Sequence, residues 1–321
     1  MNDQPAPLPP LLLETTYQPR VWGGLRMGDG NQPIGEAWGA FEDNRITGSP
    51  LDGMTLAEAC RQFGEQILGS PVIARHGRRF PILTKLLDTR EWLSVQIHPN
   101  DEQARRLEGP DQVGKTEAWH LLETTPDAEI ILGLRPGVDA GQFAEAVRGG
   151  KTLDVIARQQ AIAGDTWFIP AGTVHALGPG IFLYEVQQAS DITYRVYDWD
   201  RPASAGRELH LDQAIECVMP SAGDRIESSS VLAGVSERLV SSPYFTLDRL
   251  YLNPGTSATL DTTYATFQAL TSTGAPVHIQ SAAGDIQIPA FGAALVPASV
   301  GPYSVASREA VSVMVSAAAP N

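Results

Sequence analysis

Residues 164–201 read GDTWFIPAGTVHALGPGIFLYEVQQASDITYRVYDWDR, and their reading decides the fold. Gly164-Asp165 opens a turn, and Thr166-Trp167-Phe168-Ile169 has the composition of a strand. Pro170-Ala171-Gly172 breaks that strand and turns the chain into Val174-His175-Ala176. A second breaker, Gly178-Pro179-Gly180, closes the unit. The runs 181–187 and 193–199 that follow are rich in β-branched and aromatic residues. Short strands, tight turns and one imidazole between two breakers indicate a β-rich domain with a site at His175.

Working outward, the same grammar recurs. Residues 82–87 read as an apolar strand, 88–90 as a turn and 92–98 as a second strand. Alternation on that second strand puts Trp92, Ser94, Gln96 and His98 on one face and Leu93, Val95 and Ile97 on the other. Residues 114–122 alternate too, with Lys115, Glu117 and Trp119 on one face. Helices are expected over 55–68, where Thr55 and Glu58 form a capping box, and over 139–147, with Asp139 as N-cap. Shorter ones are expected over 102–107, 152–159 and 211–218. From about Ser221 the composition shifts to short β-type runs with frequent turn signals. The expected fold is mainly β: a jelly-roll barrel with inserted helices over 14–220 and a second β domain over 221–321. Residues 290–298, AFGAALVPA, faintly echo the opening stretch without a histidine, which makes the second domain a candidate degenerate, metal-free copy.

Composition narrows the function. The 321 residues are 43% hydrophobic and carry a net charge of −14. That charge opposes binding to a nucleic-acid backbone, and any site for a small anion must gather its own Lys and Arg locally. No run approaches the roughly 20 apolar residues of a membrane helix. No targeting segment is apparent, so the cytoplasm is the expected location. Two cysteines, Cys60 and Cys217, lie far apart and support neither a disulfide framework nor a zinc finger.

Four residues stand out as metal ligands: Gln96, His98, Glu117 and His175. Two imidazoles, a carboxylate and an amide oxygen suit a borderline divalent cation such as zinc. Gln96 and His98 are two apart on one strand and project to one face, while the Pro-x-Gly turn fixes the approach of His175. Lys115 and Arg195 flank these elements and are the cations expected to meet an anionic substrate. Arg20 and Arg201 lie near turns and read as surface charges. His76, His210 and His278 read as structural or surface groups, and His120 should face away from Glu117.

The spacing Gly164-x5-Pro170-x-Gly172-x2-His175 resembles the second motif of the cupin superfamily. Gln96-x-His98, with Glu117 displaced downstream, is similar to the variant found in type I phosphomannose isomerases. The segments SVQIHPND (94–101), GKTEAW (114–119) and PAGTVHA (170–176) resemble the three metal-bearing segments of that family. Glu185, Ser190-Asp191 and Arg195 match its Glu…Ser-Asp…Arg run, and VWGG (21–24) with IGEAW (34–38) its N-terminal signature. The resemblance covers residues 14–201 well and the C-terminal third poorly. It implies a cupin-type barrel, one zinc ion and interconversion of mannose 6-phosphate and fructose 6-phosphate through a cis-enediol. It further implies Arg195 as catalytic arginine and Glu185 as candidate base, with Lys115, Asp191 and Ser94 on the substrate side. Two rivals stay open. His98, Glu117 and His175 also make the two-histidine, one-carboxylate set of an iron oxygenase, and a non-catalytic sugar-phosphate-binding cupin would share the scaffold.

Overall fold

The computed structural model describes residues 7–28, 30–201, 207–220, 223–227 and 232–319. The chain divides into two compact units, each assembled from separated segments. One takes residues 18–36 and 87–228; the other takes 1–17, 37–86 and 229–321. The composition break at Ser221 lies outside the described residues. Residues 37–86, which linear composition groups with the upstream domain, thus belong with the C-terminal third. The cause is long-range pairing: Leu11–Leu13 is hydrogen-bonded to both Ala293–Val296 and Ile46–Thr47.

The unit around 87–228 holds two sheets. In the first, Thr166–Ile169, Glu117–Thr124 and Ile181–Gln188 lie side by side and antiparallel, bordered by Asp224–Ile226. The second runs Tyr194–Tyr197, Val95–Ile97, His175–Leu177, Glu129–Leu134, Ile156–Gln160. Trp119, Leu121, Trp167, Ile169 and Leu183 of the first sheet meet Ile130, Leu132 and Leu177 of the second in one buried cluster. Each such aliphatic side chain contributes roughly 1.5–3 kcal/mol on burial. The opposite face of the second sheet, with Val95, Ile97, Ile131, Val174 and Ala176, packs against Phe143 and Val147 of helix Ala140–Arg148 and Ala214 and Cys217 of helix Leu211–Cys217. Alternation then forces Gln96 and His175 inward.

Some local expectations shift. Residues 152–159 form no helix: Thr152–Asp154 is a single 3₁₀ turn, and Ile156–Gln160 is an edge strand paired with Glu129–Leu134. A waiting strand partner outweighs weak helical periodicity in so short a segment. Strand Ile82–Thr89 runs through the expected turn, because the Thr89 hydroxyl donates to the Gly178 carbonyl (2.7 Å) and accepts from the Ile181 N–H (3.0 Å). The next strand shortens to Val95–Ile97.

In the other unit, helix Leu56–Leu68 carries the expected Thr55–Glu58 capping box and buries Leu56, Ala59, Cys60 and Ile67. A second helix, Ser70–His76, follows directly, with Pro71 in its first turn. The sheets of this unit enclose an apolar cluster that includes Leu250, Leu270, Val277, Ile279, Val305 and Val313.

The Pro170–Gly172 turn is the hinge between fold and site. Gly172 donates its N–H to the His98 carbonyl (2.8 Å), and its own carbonyl accepts from Met219 (2.8 Å). Its φ of 87° lies in the left-handed region, and a Cβ there would sit 2.8 Å from the Cys217 carbonyl oxygen. Gly172→Ala is therefore expected to lower the unfolding free energy by roughly 1–3 kcal/mol, read from urea denaturation. An unchanged midpoint would contradict this account of the turn.

Candidate metal centre

Strand register builds the site. On one side of Gln96 stands Arg195 and on the other His175, each directly opposed across an antiparallel pair. Opposed residues project to the same face, so Arg195, Gln96 and His175 form one row. His98 lies just past the strand end. From the other sheet, Glu117 is opposed by Gln187 and Ile169; one step deeper, Trp119 is opposed by Glu185 and Trp167. The inner surface thus grades from an apolar floor through Trp119–Glu185 to Glu117.

His98, Glu117 and His175 are each 1% exposed, and their ligand atoms lie within 4.8 Å of one another. Glu117 Oε1 is 3.3 Å from His175 Nε2, and Oε2 is 3.5 Å from His98 Nε2. The two histidines are locked as one tautomer. His98 Nδ1–H donates to the Ile192 carbonyl (2.8 Å) and His175 Nδ1–H to the Thr173 carbonyl (2.9 Å). Both Nε2 atoms then present lone pairs, and they face each other at 3.1 Å. Gln96 Nε2 lies 3.3 Å from His175 Nε2.

Burial pushes His98 down to about 3, helped by the Lys115 charge. Burial also lowers His175. Burial raises Glu117, but Lys115, His175 and His98 together outweigh it and hold the carboxyl well below its usual range. The result is an ionised carboxylate between two neutral imidazoles. Among the described residues, neither Glu117 oxygen has a hydrogen-bond partner despite full burial. A buried carboxylate without donors is costly, and two facing lone pairs repel. A cation among these atoms relieves both, so the residues fit a metal of the N/O-preferring type. The carbonyls of Ile192 and Thr173 are the outer supports that orient such ligands.

The other candidate residues sit as follows. Lys115 is 5% exposed, with Nζ 3.4 Å from Glu117 Oε2. Glu185 is buried, and its Oε1 accepts from Trp119 Nε1 (2.9 Å). Arg195 is half-buried; its Nε donates to Ser94 Oγ (3.1 Å) and its Nη1 to the Glu208 carbonyl (2.9 Å). Ser94 is itself buried and helps to hold the arginine. Asp191 is exposed, one residue before Ile192. His120 hydrogen-bonds Thr166 Oγ1 (2.9 Å), a structural contact. Arg201 is taken up by Asp198 and Glu91, and Arg20 by Glu36. Sequence reasoning assigned no role to Trp119, whose ring meets His175 edge-on at 5.5 Å. Its shared face with Glu117 was the available signal.

Barrel, buried His–Glu–His group and flanking cations together define a cupin-type metalloenzyme. Comparison with known proteins gives the family. Residues 11–120 match the family model for the phosphomannose isomerase type I catalytic domain. The chain is 36% identical over 253 residues to the probable mannose-6-phosphate isomerase GmuF of Bacillus subtilis, covering 74% of this chain and 78% of that protein. It is 34% identical over 263 residues to mannose-6-phosphate isomerase ManA of the same organism, covering 77% and 81%. The crystal structure of the mannose 6-phosphate isomerase from Bacillus subtilis superposes with a TM-score of 0.83 at 26% identity, over 96% of this chain and 99% of that one. The chain belongs to the type I phosphomannose isomerase family.

The histidine environment has a consequence for stability. A folded-state value of about 3 for His98 lies below the unfolded value near 6.5. Between these values the unfolded chain binds the extra proton, so stability is present above pH 6.5 and falls as pH drops toward 3. Chelator-treated protein is expected to lose roughly 1 kcal/mol per pH unit from His98 below pH 6.5. Glu117 adds to the loss only below about pH 4.5. Urea midpoints measured from pH 7 to 5 check this; a flat profile would contradict the buried neutral imidazole.

Proposed function

We propose that this chain is an aldose–ketose isomerase that interconverts mannose 6-phosphate and fructose 6-phosphate through a cis-enediol, with one zinc ion per chain. The observation that carries the reading is the buried Glu117 carboxylate, without donors, between two Nε2 lone pairs, in a chain of this family. His98, Glu117 and His175 would hold the metal, joined by Gln96 once its amide turns its oxygen inward. When bound, a divalent cation there supplies Lewis acidity to the sugar oxygens at C1 and C2.

The chain's own residues do the rest. The isomerisation moves one proton between C2 and C1, so one group must remove it and return it. Glu185 is the proposed base, its carboxylate oriented by the Trp119 N–H one row below the metal ligands. Arg195 lies in the row of Gln96 and His175, held by Ser94 and Glu208, and would stabilise the enediolate charge. Lys115 provides a second cation beside the ligand Glu117 and suits a sugar hydroxyl or the developing oxyanion. Asp191 is placed with the substrate-facing residues on the family resemblance alone. The cations gathered here answer the requirement that a chain of net charge −14 must concentrate positive charge to hold a sugar phosphate. Family membership favours neither the oxygenase nor the non-catalytic binder. The C-terminal unit as a metal-free cupin copy and a cytoplasmic location complete the proposal.

A coupled assay with mannose 6-phosphate and zinc-replete protein should show isomerisation; turnover at background would overturn the reading. Arg195→Ala should retain zinc while losing most turnover, whereas His175→Ala should lose zinc as well. Equal zinc loss in both variants would contradict the roles given to them.

A further inference from the structure

Beside the ligands lies a buried hydrogen-bonded knot that the proposed chemistry does not use. Gln188, 6% exposed, brackets the residue between Lys115 and Glu117. Its side-chain Oε1 accepts from the Thr116 N–H (2.9 Å), and its backbone N–H donates to the Thr116 carbonyl (3.1 Å). Its Nε2 donates to Asp101 Oδ1 (3.0 Å), and the same Asp101 oxygen accepts from the Gly114 N–H (2.8 Å). The Thr116 hydroxyl in turn accepts from the Ala171 N–H (3.3 Å). Three segments therefore meet here: 98–101 with His98, 114–117 with Lys115 and Glu117, and 170–175 with His175.

The neighbouring amide closes the network. Gln187 is fully buried, and its Nε2 donates to the carbonyls of Gln188 and Ser190 (3.0 and 2.5 Å). Those carbonyls belong to the turn that leads to Ile192, whose carbonyl fixes the His98 ring. A side chain that satisfies buried donors and acceptors on several segments at once specifies their mutual geometry. Substitutions in the outer support of a metal site typically weaken metal binding tenfold to a hundredfold.

We propose that Gln188 is a positioning residue for both the metal ligands and Lys115, acting through Asp101 and the Thr116 backbone without touching substrate. The inference rests on the metal-site reading above, so its test reads zinc binding separately from isomerase activity. Gln188→Ala and Asp101→Ala are compared with wild type by zinc competition against a chromophoric chelator, and kcat and KM are measured at saturating zinc. Asp101 is half-buried on a short helix, whereas Gln188 is buried, so Asp101→Ala is the variant expected to disturb the core less. Both variants should bind zinc about 10- to 100-fold more weakly. At saturating zinc they should keep a several-fold deficit in kcat, reflecting a displaced Lys115. Q188E alone sets a carboxylate against the Asp101 carboxylate; D101N removes one of the two charges while its amide oxygen can still accept from the Gly114 N–H, so Q188E/D101N should bind zinc more tightly than Q188E alone. Wild-type zinc affinity and kcat in Asp101→Ala, or in folded Gln188→Ala, would overturn the proposal even with a lowered melting temperature. So would a combined variant no better than Q188E. Zinc binding without isomerisation in the wild type would instead overturn the activity proposed above.

Discussion

The Glu117 carboxylate is the constraint on which the rest of this unit depends. It is 1% exposed, ionised and without a hydrogen-bond donor, between imidazoles whose remaining protons point away from it. A buried charge that accepts no hydrogen bond is one of the more expensive arrangements a fold can hold. Lys115 offsets part of the cost from 3.4 Å, and the lone pairs of His98 and His175 add to it. The arrangement makes sense as a receptor for a cation, with folding stability spent on ligands held apart before the metal arrives. Two sheets deliver it: one contributes Gln96 and His175 in register with Arg195, the other Glu117 above Trp119 and Glu185.

Precision here comes from the sheets rather than from the ligands. Opposed pairs in antiparallel strands leave little freedom in which side chains share a row. The Pro170–Gly172 turn, pinned by His98 and Met219, sets where His175 enters its strand. Beneath the site Trp119, Leu121, Trp167 and Leu183 form part of one buried apolar cluster. A low-dielectric floor strengthens every charge interaction above it, which is where an enediolate would need stabilising.

Much of this is legible in the sequence. Period-two alternation placed Gln96 with His98 and Lys115 with Glu117 and Trp119, because side-chain direction on a strand is a local property. The Pro-x-Gly spacing marked His175 for the same reason. What escaped reading was non-local. Residues 37–86 join the C-terminal third through Leu11–Leu13, a pairing 284 residues apart in the case of Leu11 and Leu295. Residues 156–160 became a strand because Glu129–Leu134 offered an edge. The hydrogen bond from Arg195 to the Ser94 hydroxyl joins two strands and has no local signature in the sequence. Gln188 carried no motif at all; its role appears only when Asp101, Thr116 and Ala171 come together.

The central claim is that His98, Glu117, His175 and Gln96 hold one zinc ion per chain. X-ray absorption at the zinc edge, on protein loaded with one equivalent, tests it directly. The account predicts a first shell of two imidazole nitrogens and light oxygen donors near 2.0–2.1 Å, with one imidazole lost in His175→Ala. A shell containing sulfur, a shell without imidazole scattering, or failure to retain stoichiometric zinc would contradict it.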